Sequence, residues 1–338
     1  MRRCTGSQQS VRAPSTAETA ADGRRTSVRI VDVYAAAALL RAGGLVAFPT
    51  ETVYGLGAHA LDERAVRRVF AAKGRPADNP LIVHLASADQ VDEVARSFPD
   101  ASRRLAERFW PGPLTLVLDA RPQVPAVTRG GRQTVAVRVP AHKLALELLR
   151  AAGVPVAAPS ANRSGRPSPT TAAHVRADLG DAVDAVVDGG PCALGVESTV
   201  VDARGAVPVV LREGAIPADE LGAVAGAVAQ LGASPGTRHR HYAPRCRVVV
   251  VPAGQGAACA LRWVAAGQRV ALVGPARAPD GVQHLATVAG ADDLAHRLYA
   301  LLREAEDAGV DAVVVEAVPD VGVGRAVMDR LRRAADTG

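Results

Sequence analysis

The feature that most restricts the fold of this chain is a series of short Val, Leu and Ile runs, separated by longer stretches with helical periodicity. Runs this short, bounded by turn formers, are strands rather than helices. Strands are expected at 45–49, 81–85, 114–118, 135–139, 154–158, 185–187, 198–202 and 207–211. Helices are expected at 32–42, closed by Gly43 and Gly44, and at 62–72, 88–96, 100–109, 141–152, 170–179 and 217–231. Alternation of this kind builds an α/β domain on a mixed sheet. The pattern stops at 232–246, GASPGTRHRHYAPRC, which has no apolar period and reads as a linker. It resumes with strands at 247–251, 270–273 and 312–315 and helices at 256–266, 291–308 and 324–335. That order suits a small parallel, Rossmann-like module. The implied organisation is a disordered tail over 1–26, a first domain over 27–231, a linker over 232–246 and a second domain over 247–338.

Aromatic residues are 3% of the chain, so the cores must be built from Val, Leu and Ala. Of 40 basic residues only Lys73 and Lys143 are lysine, and the net charge is +6. Most of the arginines read as solvated surface. The two lysines stand out, because Lys and Arg are not interchangeable at a phosphate site. Four cysteines, Cys4, Cys192, Cys246 and Cys259, form no C-x-x-C pair. A zinc site or disulfide framework is not indicated, and a reducing cytoplasm fits. No apolar run is long enough for a membrane span. The tail lacks the apolar segment of a secretion signal and reads as disordered, with an organelle transit peptide as the alternative.

Five segments place polar groups inside or at the ends of apolar strands. Burial there costs about 1–3 kcal/mol for each group left without a partner, and a ligand is one such partner. In 48–57, FPTETVYGLG, a continuing strand sets Phe48, Thr50, Thr52 and Tyr54 on one side; the alternative is a turn with hydroxyls bonded to backbone. In 73–80, KGRPADNP, Lys73 and Arg75 flank a glycine at a helix end, which suits either the helix dipole or a polyphosphate. The next strand ends in His84. In 134–140, TVAVRVP, period two puts Thr134, Ala136 and Arg138 on one face. A charge in a valine-rich strand needs an anion, either a ligand or a buried carboxylate. In 158–165, APSANRSG, a strand enters a Ser/Asn/Gly loop ahead of a helix, which is an anion cradle or a plain loop. In 195–202, GVESTVVD, and 210–214, VLREG, Ser198 and Arg212 hold strand positions, where the alternatives are a bulge and a surface charge. The shared grammar points to one cavity lined by Lys73, Arg75, Arg138 and Arg212. No P-loop motif and no H-E-x-x-H zinc motif occurs. In the second module no G-x-G-x-x-G follows a strand, and 321–326, VGVGRA, reads as a helix-start turn.

PTETVYGLG, KGRPADNPLIVH, WPGPLTLVL, VAVRVP, APSANRSG and GVESTVVD, in this order, resemble the YrdC-like threonylcarbamoyl-AMP synthases over about residues 30–217. SPG at 234–236, HYAP at 241–244 and Gly-x-Gly-x-Ala-x-Met-x-Arg-Leu at 322–331 resemble the family's long, two-domain form. The motifs are specific in combination, not singly. The resemblance implies a strongly curved mixed sheet with a basic cavity on its concave face, and a Rossmann-like second domain. It implies the reaction of L-threonine, bicarbonate and ATP to threonylcarbamoyl-AMP and pyrophosphate. That product is the donor for N6-threonylcarbamoyladenosine in tRNA and would pass to a tRNA-modifying transferase complex. Carried over by position, Lys73 and Arg75 are the catalytic pair. Thr52, His84, Arg138 and Ser198, with the backbone at Ala158, form the threonine pocket. Lys73, Arg75, Asn79, Thr134, Ser160, Ser168 and Arg212 face ATP, which brings its Mg2+, and Tyr242 folds over the mouth. No metal ligand is indicated, and His84 is expected to bind rather than act as a base. The chain departs from the family pattern at Thr237, Arg238 and His239, and at Arg247, where proline is common. The rival reading is a non-catalytic binder of double-stranded RNA on the basic face. Weak RNA contact would also suit an enzyme of this charge. Carbamoyl transfer in hydrogenase maturation uses a similar domain, but with cysteine pairs and extra domains that this chain lacks.

Overall fold

A computed structural model of the protein describes residues 28–230 and 241–335. The tail expected over 1–26 and linker residues 232–240, with the departures at Thr237, Arg238 and His239, lie outside them.

The first part runs β1 (Arg29–Ile30), α1 (Val33–Arg41), β2 (Val46–Phe48), β3 (Gly55–His59), α2 (Glu63–Lys73), β4 (Ile82–His84) and a 3-10 segment at Ala88–Glu93. It continues with α3 (Asp100–Phe109), β5 (Leu114–Asp119), β6 (Thr134–Arg138), α4 (Lys143–Ala152), β7 (Val156–Ala157), α5 (Ala172–Leu179) and β8 (Ala185–Val186). It closes with β9 (Thr199–Asp202), β10 (Val209–Arg212), α6 (Ala218–Ala225) and β11 (Ala229–Gln230). The described strands form one mixed sheet in the order β1-β8-β2-β3-β7-β4-β6-β5-β9-β10-β11.

Strand alternation divides the two faces. Val83, Leu116, Val135, Val137, Val201 and Val210 enter a core with Val66 and Val69 of α2, Leu105 of α3 and Leu221 of α6. Fully burying one such side chain contributes about 1.5–3 kcal/mol. Ile82, His84, Val117, Thr134, Ala136, Arg138, Val200 and Leu211 alternate with them and line a cavity on the other face. Farther along the sheet, α1 and α4 cover Val46, Phe48, Val156 and Ala158.

Four strands have no counterpart in the expectations. Strand β3, GLGAH, carries no β-branched residue; its Gly57 fits because a Cβ there would lie 2.9 Å from both Phe48 and Val156. Strands β1 and β11 are two-residue edges, and β14 (Gln283–Thr287) has a mostly exposed, polar sequence. The helix expected over 88–96 is the shorter 3-10 segment. The helix expected over 217–231 stops at Ala225, before Gly226 with φ +82°.

The second part is β12 (Arg247–Val251), α7 (Gly256–Ala265), β13 (Val270–Gly274), β14, α8 (Ala291–Asp307), β15 (Ala312–Glu316) and α9 (Val323–Ala335). Its sheet is parallel throughout, ordered β12-β15-β13-β14. Glu316 accepts from Gly254 N at 2.6 Å and Gly256 N at 3.0 Å. A carboxylate of the chain itself therefore fills the start of α7, where related folds receive a phosphate. Arg247 lies over the Trp263 ring, 5.2 Å from its centroid. Among the described residues no helix is long and apolar enough to cross a membrane.

Helix α8 docks on the first part. Arg303 grips buried Asp178 of α5 through Nη1 at 3.1 Å and Nη2 at 2.8 Å, and Glu306 pairs with Arg166 at 2.9 Å. Gly195, at φ +75°, lies so close that a Cβ would sit 2.4 Å from the His296 carbonyl oxygen.

Candidate active site

Helix α2 ends where Gly74 takes a left-handed conformation, φ +61°, which a side chain would resist. The reversal brings Lys73 and Arg75 to the same cavity. Lys73 is buried, and its Nζ donates to the carbonyls of Ser160, at 2.5 Å, and Asn162. It therefore clamps the 159–168 loop as well as serving its own helix end. Burial, with the Arg75 charge nearby, drives its pKa well below that of an ordinary lysine. Arg75 donates to the carbonyls of Asn79 and Pro80 at 3.3 and 3.2 Å, and burial pushes its pKa down to about 10.

Strand β2 does not continue through Thr52, contrary to one expectation. Thr50 forms a turn instead, its Oγ1 donating to Val53 O at 2.6 Å and accepting from Thr52 N and Val53 N at 3.2 Å. The turn leaves Thr50 and Thr52 on the cavity and takes Phe48 and Tyr54 away from it. The Tyr54 hydroxyl donates to Gly190 O at 2.8 Å.

Arg138, 4% exposed, answers both readings of a charge in a strand. It lines the cavity, and it has a carboxylate behind it. Nη1 donates to Thr52 Oγ1 at 3.0 Å, Nε donates to Gly112 O at 3.1 Å, and Nη2 lies 2.7 Å from Glu51 Oε1. The Nη2–Glu51 contact is an ion pair without hydrogen-bond geometry. His84 sits beside Arg138 in strand register. Burial and the Arg138 charge push its pKa down to about 3, so it is neutral at pH 7 and a weak base.

Ser198 precedes β9, with its Oγ 2.8 Å from Thr115 Oγ1. A register shift in β10 between Val210 and Arg212 accompanies the turn of Arg212 towards it, and Arg212 Nη2 donates to Ser198 O at 2.8 Å. Burial lowers the Arg212 pKa. Ser160 Oγ donates to Asn162 Oδ1 at 2.6 Å, and Ser168 Oγ donates to Glu197 Oε1 at 2.7 Å. The cradle is the 159–168 loop alone. The start of α5 is capped by Thr171 and does not line the cavity. Tyr242, at φ +64°, stacks on Tyr299 with ring centroids 5.4 Å apart, and Ala243 N donates to Gly165 O at 2.9 Å.

Thr52, Lys73, Arg75, Asn79 and His84 thus meet Thr134, Arg138, Ala158 and Ser160, and Ser168, Ser198, Arg212 and Tyr242, around one cavity of about 550 Å³. Asn162, Glu197 and, from the second domain, Arg333 line it too and were not singled out from the sequence. Glu51 and Glu197 carried a readable signal: each is an acid inside an apolar motif, next to a hydroxyl residue. Among the described residues no three His, Cys, Asp or Glu side chains group as metal ligands. Glu51 faces Arg138, and Glu197 is held by Ser168, Tyr299 and Arg330. This donor set suits a cation carried in on phosphates better than one held by the protein.

Two family models match the chain. The Sua5/YciO/YrdC model, described as "Telomere recombination", covers residues 38–214. The model described as "Threonylcarbamoyl-AMP synthase, C-terminal domain" covers residues 211–336. Threonylcarbamoyl-AMP synthase of Pyrococcus abyssi is 46% identical over 89% of this chain and 93% of its own length. The Bacillus subtilis protein of the same name is 42% identical over 89% of this chain and 92% of its own length. A crystal structure of P. abyssi Sua5 complexed with L-threonine superposes with a TM-score of 0.84 at 44% identity, covering 90% of this chain and 94% of that one. Matched through both of its parts at this level, the chain belongs to the threonylcarbamoyl-AMP synthase family in its two-domain form.

Proposed function

We propose that this chain joins L-threonine, bicarbonate or carbon dioxide, and ATP into threonylcarbamoyl-AMP, releasing pyrophosphate. This is the first step of threonylcarbamoyladenosine formation in tRNA. The observation that carries it is the meeting of Lys73, Arg75, Arg138 and Arg212 with Thr52 and Ser198 around one cavity. An amino acid and a triphosphate side by side need that many cations.

In this reading Arg138 and Thr52, bonded to each other on the cavity wall, take the threonine carboxylate. Charge-assisted bonds of that kind contribute roughly 1.5–3 kcal/mol. Neutral His84 lines the same end without adding a like charge to the amine. The threonine ammonium gives one proton to bicarbonate or water. The neutral amine nitrogen attacks the carbon of CO2, and a second proton passes to bicarbonate or water as the carbamate forms. Lys73, Arg75 and Arg212 offset the repulsion between that anion and the triphosphate. A carbamate oxygen then attacks the α-phosphorus, the bond to the β-phosphate oxygen breaks, and pyrophosphate leaves. Magnesium enters with ATP as part of the substrate. The residues supply position and charge stabilisation, which carry most of phosphoryl-transfer catalysis. Tyr242, on the cavity wall, shields a carbamate and a mixed anhydride that water destroys.

A non-catalytic role on double-stranded RNA does not fit this site. Lys73 and Arg138 are 3% and 4% exposed, out of reach of a duplex backbone. The exposed arginines leave room for weak, salt-sensitive RNA contact, and a cytoplasmic location with transfer of the product to a tRNA-modifying complex completes the proposal. The test is incubation with MgATP, bicarbonate and labelled threonine, with rapid chromatography of the adenylate. Threonine-dependent pyrophosphate release with the labelled adenylate is expected; pyrophosphate release indifferent to threonine would end the proposal.

A further inference from the structure

The second domain reaches the cavity wall through α8 and α9. Arg333 of α9 lines the cavity directly. In the wall itself, Glu197 is held between Ser168 and two side chains of the second domain that lie behind it. It accepts from Ser168 Oγ at 2.7 Å, from the Tyr299 hydroxyl at 2.9 and 2.8 Å on its two oxygens, and from Arg330 Nε at 3.1 Å. Arg330 is 0% exposed, and its guanidinium lies over the Tyr242 ring at 5.6 Å. Arg212 feels the Glu197 and Arg330 charges with opposite sign.

A fully buried arginine is poor glue. Desolvating it costs several kcal/mol, and an apolar side chain of similar size would dock two domains as well or better. What a buried, hydrogen-bonded charge pair fixes is geometry. Here the fixed groups are Ser168, bonded to Glu197, and Tyr242, stacked on Tyr299 beside Arg330, both on the nucleotide side.

We propose that Arg330 and Tyr299 are positioning residues for the nucleotide half of the cavity, so that the second domain sets the stance of Ser168 through Glu197 and of Tyr242 by direct contact. The proposal rests on the function assigned above. It is tested in the full chain with Tyr299→Phe, Arg330→Met and Arg330→Lys, varying ATP and threonine separately and reading denaturation midpoints alongside. Tyr299→Phe is expected to raise the KM for ATP about tenfold, as loss of a hydrogen bond to a charged group does, while the KM for threonine stays within about twofold. Arg330→Met should exceed this effect, and Arg330→Lys should recover part of it. Lower midpoints with an unchanged KM for ATP would overturn the proposal and leave the pair as interface packing. If Arg330→Met fails to fold, Tyr299→Phe decides alone, since it keeps the ring and loses only the hydroxyl. Calorimetry of ATP binding to the same variants keeps the two claims separable. A wild type that binds ATP but forms no adenylate refutes the assigned reaction, while equal ATP affinity in wild type and variants refutes the coupling.

Discussion

Replacing Arg138 with alanine removes two different things, and the structure separates them. The first is a binding group at the threonine end, where charge-assisted bonds to a carboxylate contribute about 1.5–3 kcal/mol, or roughly 10- to 150-fold in affinity. The second is the partner of Glu51. Both side chains are buried, at 4% and 10% exposure, so the single change strands a carboxylate out of water. Breaking a buried pair from one side costs about 3–5 kcal/mol, whereas removing both charges costs far less. Arg138→Ala should therefore raise the KM for threonine by more than about tenfold and lower the denaturation midpoint, with the KM for ATP within about twofold. Adding Glu51→Gln should restore much of the midpoint and none of the threonine affinity. Steady-state adenylate formation and urea titrations read both. Equal rises in the two KM values would refute the placement of Arg138. Recovery of threonine affinity in the double variant would show that the loss had been structural.

Three further outcomes follow from the same geometry. Burial depresses the His84 pKa to about 3 in the fold against 6.5 for an ordinary histidine, so the unfolded chain binds the extra proton first; its share of stability is complete above about pH 6.5 and fades as pH falls towards 3. His84→Gln should flatten the slope of stability against pH in that window by about one proton, and an unchanged slope would contradict the burial argument. Lys73→Arg should lower kcat/KM by about a hundredfold, because the ammonium is seated between two loop carbonyls where a guanidinium fork has no room, and activity within about threefold of wild type would remove Lys73 from the site. Gly195→Ala adds a Cβ 2.4 Å from a backbone oxygen of α8 at a left-handed φ, so limited proteolysis between the domains should speed up and stability should drop by about 1–3 kcal/mol, whereas an unchanged cleavage rate would mean that the docking tolerates the shift.

Period two was legible wherever a strand was long enough to show it. Thr134, Ala136 and Arg138 alternate with Val135 and Val137, and the two sets do face cavity and core. Where the backbone leaves the strand, alternation has no hold. Residues 49–54 look like a continuing strand because Thr, Val and Tyr favour one, yet the Thr50 hydroxyl satisfies the backbone of a turn and sends Tyr54 the other way. Strand β3 was illegible for the opposite reason: its glycines are there for close contact with Phe48 and Val156, which no local pattern encodes. The partners of the cations were hidden in the same manner. Glu51 lies far along the chain from Arg138, and Arg330 lies farther still from Glu197. Only the fold makes each pair neighbours.

Those hidden partners account for how a cavity wall built largely of buried side chains tolerates so much positive charge before any substrate arrives. Uncompensated, Lys73, Arg138 and Arg212 would each carry a desolvation penalty that the fold could not sustain together. Each instead has a counterweight within the fold: loop carbonyls for Lys73 and Glu197 near Arg212, both on the cavity wall, and Glu51 behind Arg138. Such counterweights lessen the attraction for a substrate anion, but they also fix the direction of each charge. Oriented groups need no rearrangement when negative charge shifts from carbamate to pyrophosphate, and avoiding that rearrangement is where an enclosed site gains over water. For Glu197 the counterweight is itself held by Arg330 and Tyr299, so the orientation of the nucleotide side depends on a domain that contributes no nucleotide motif of its own.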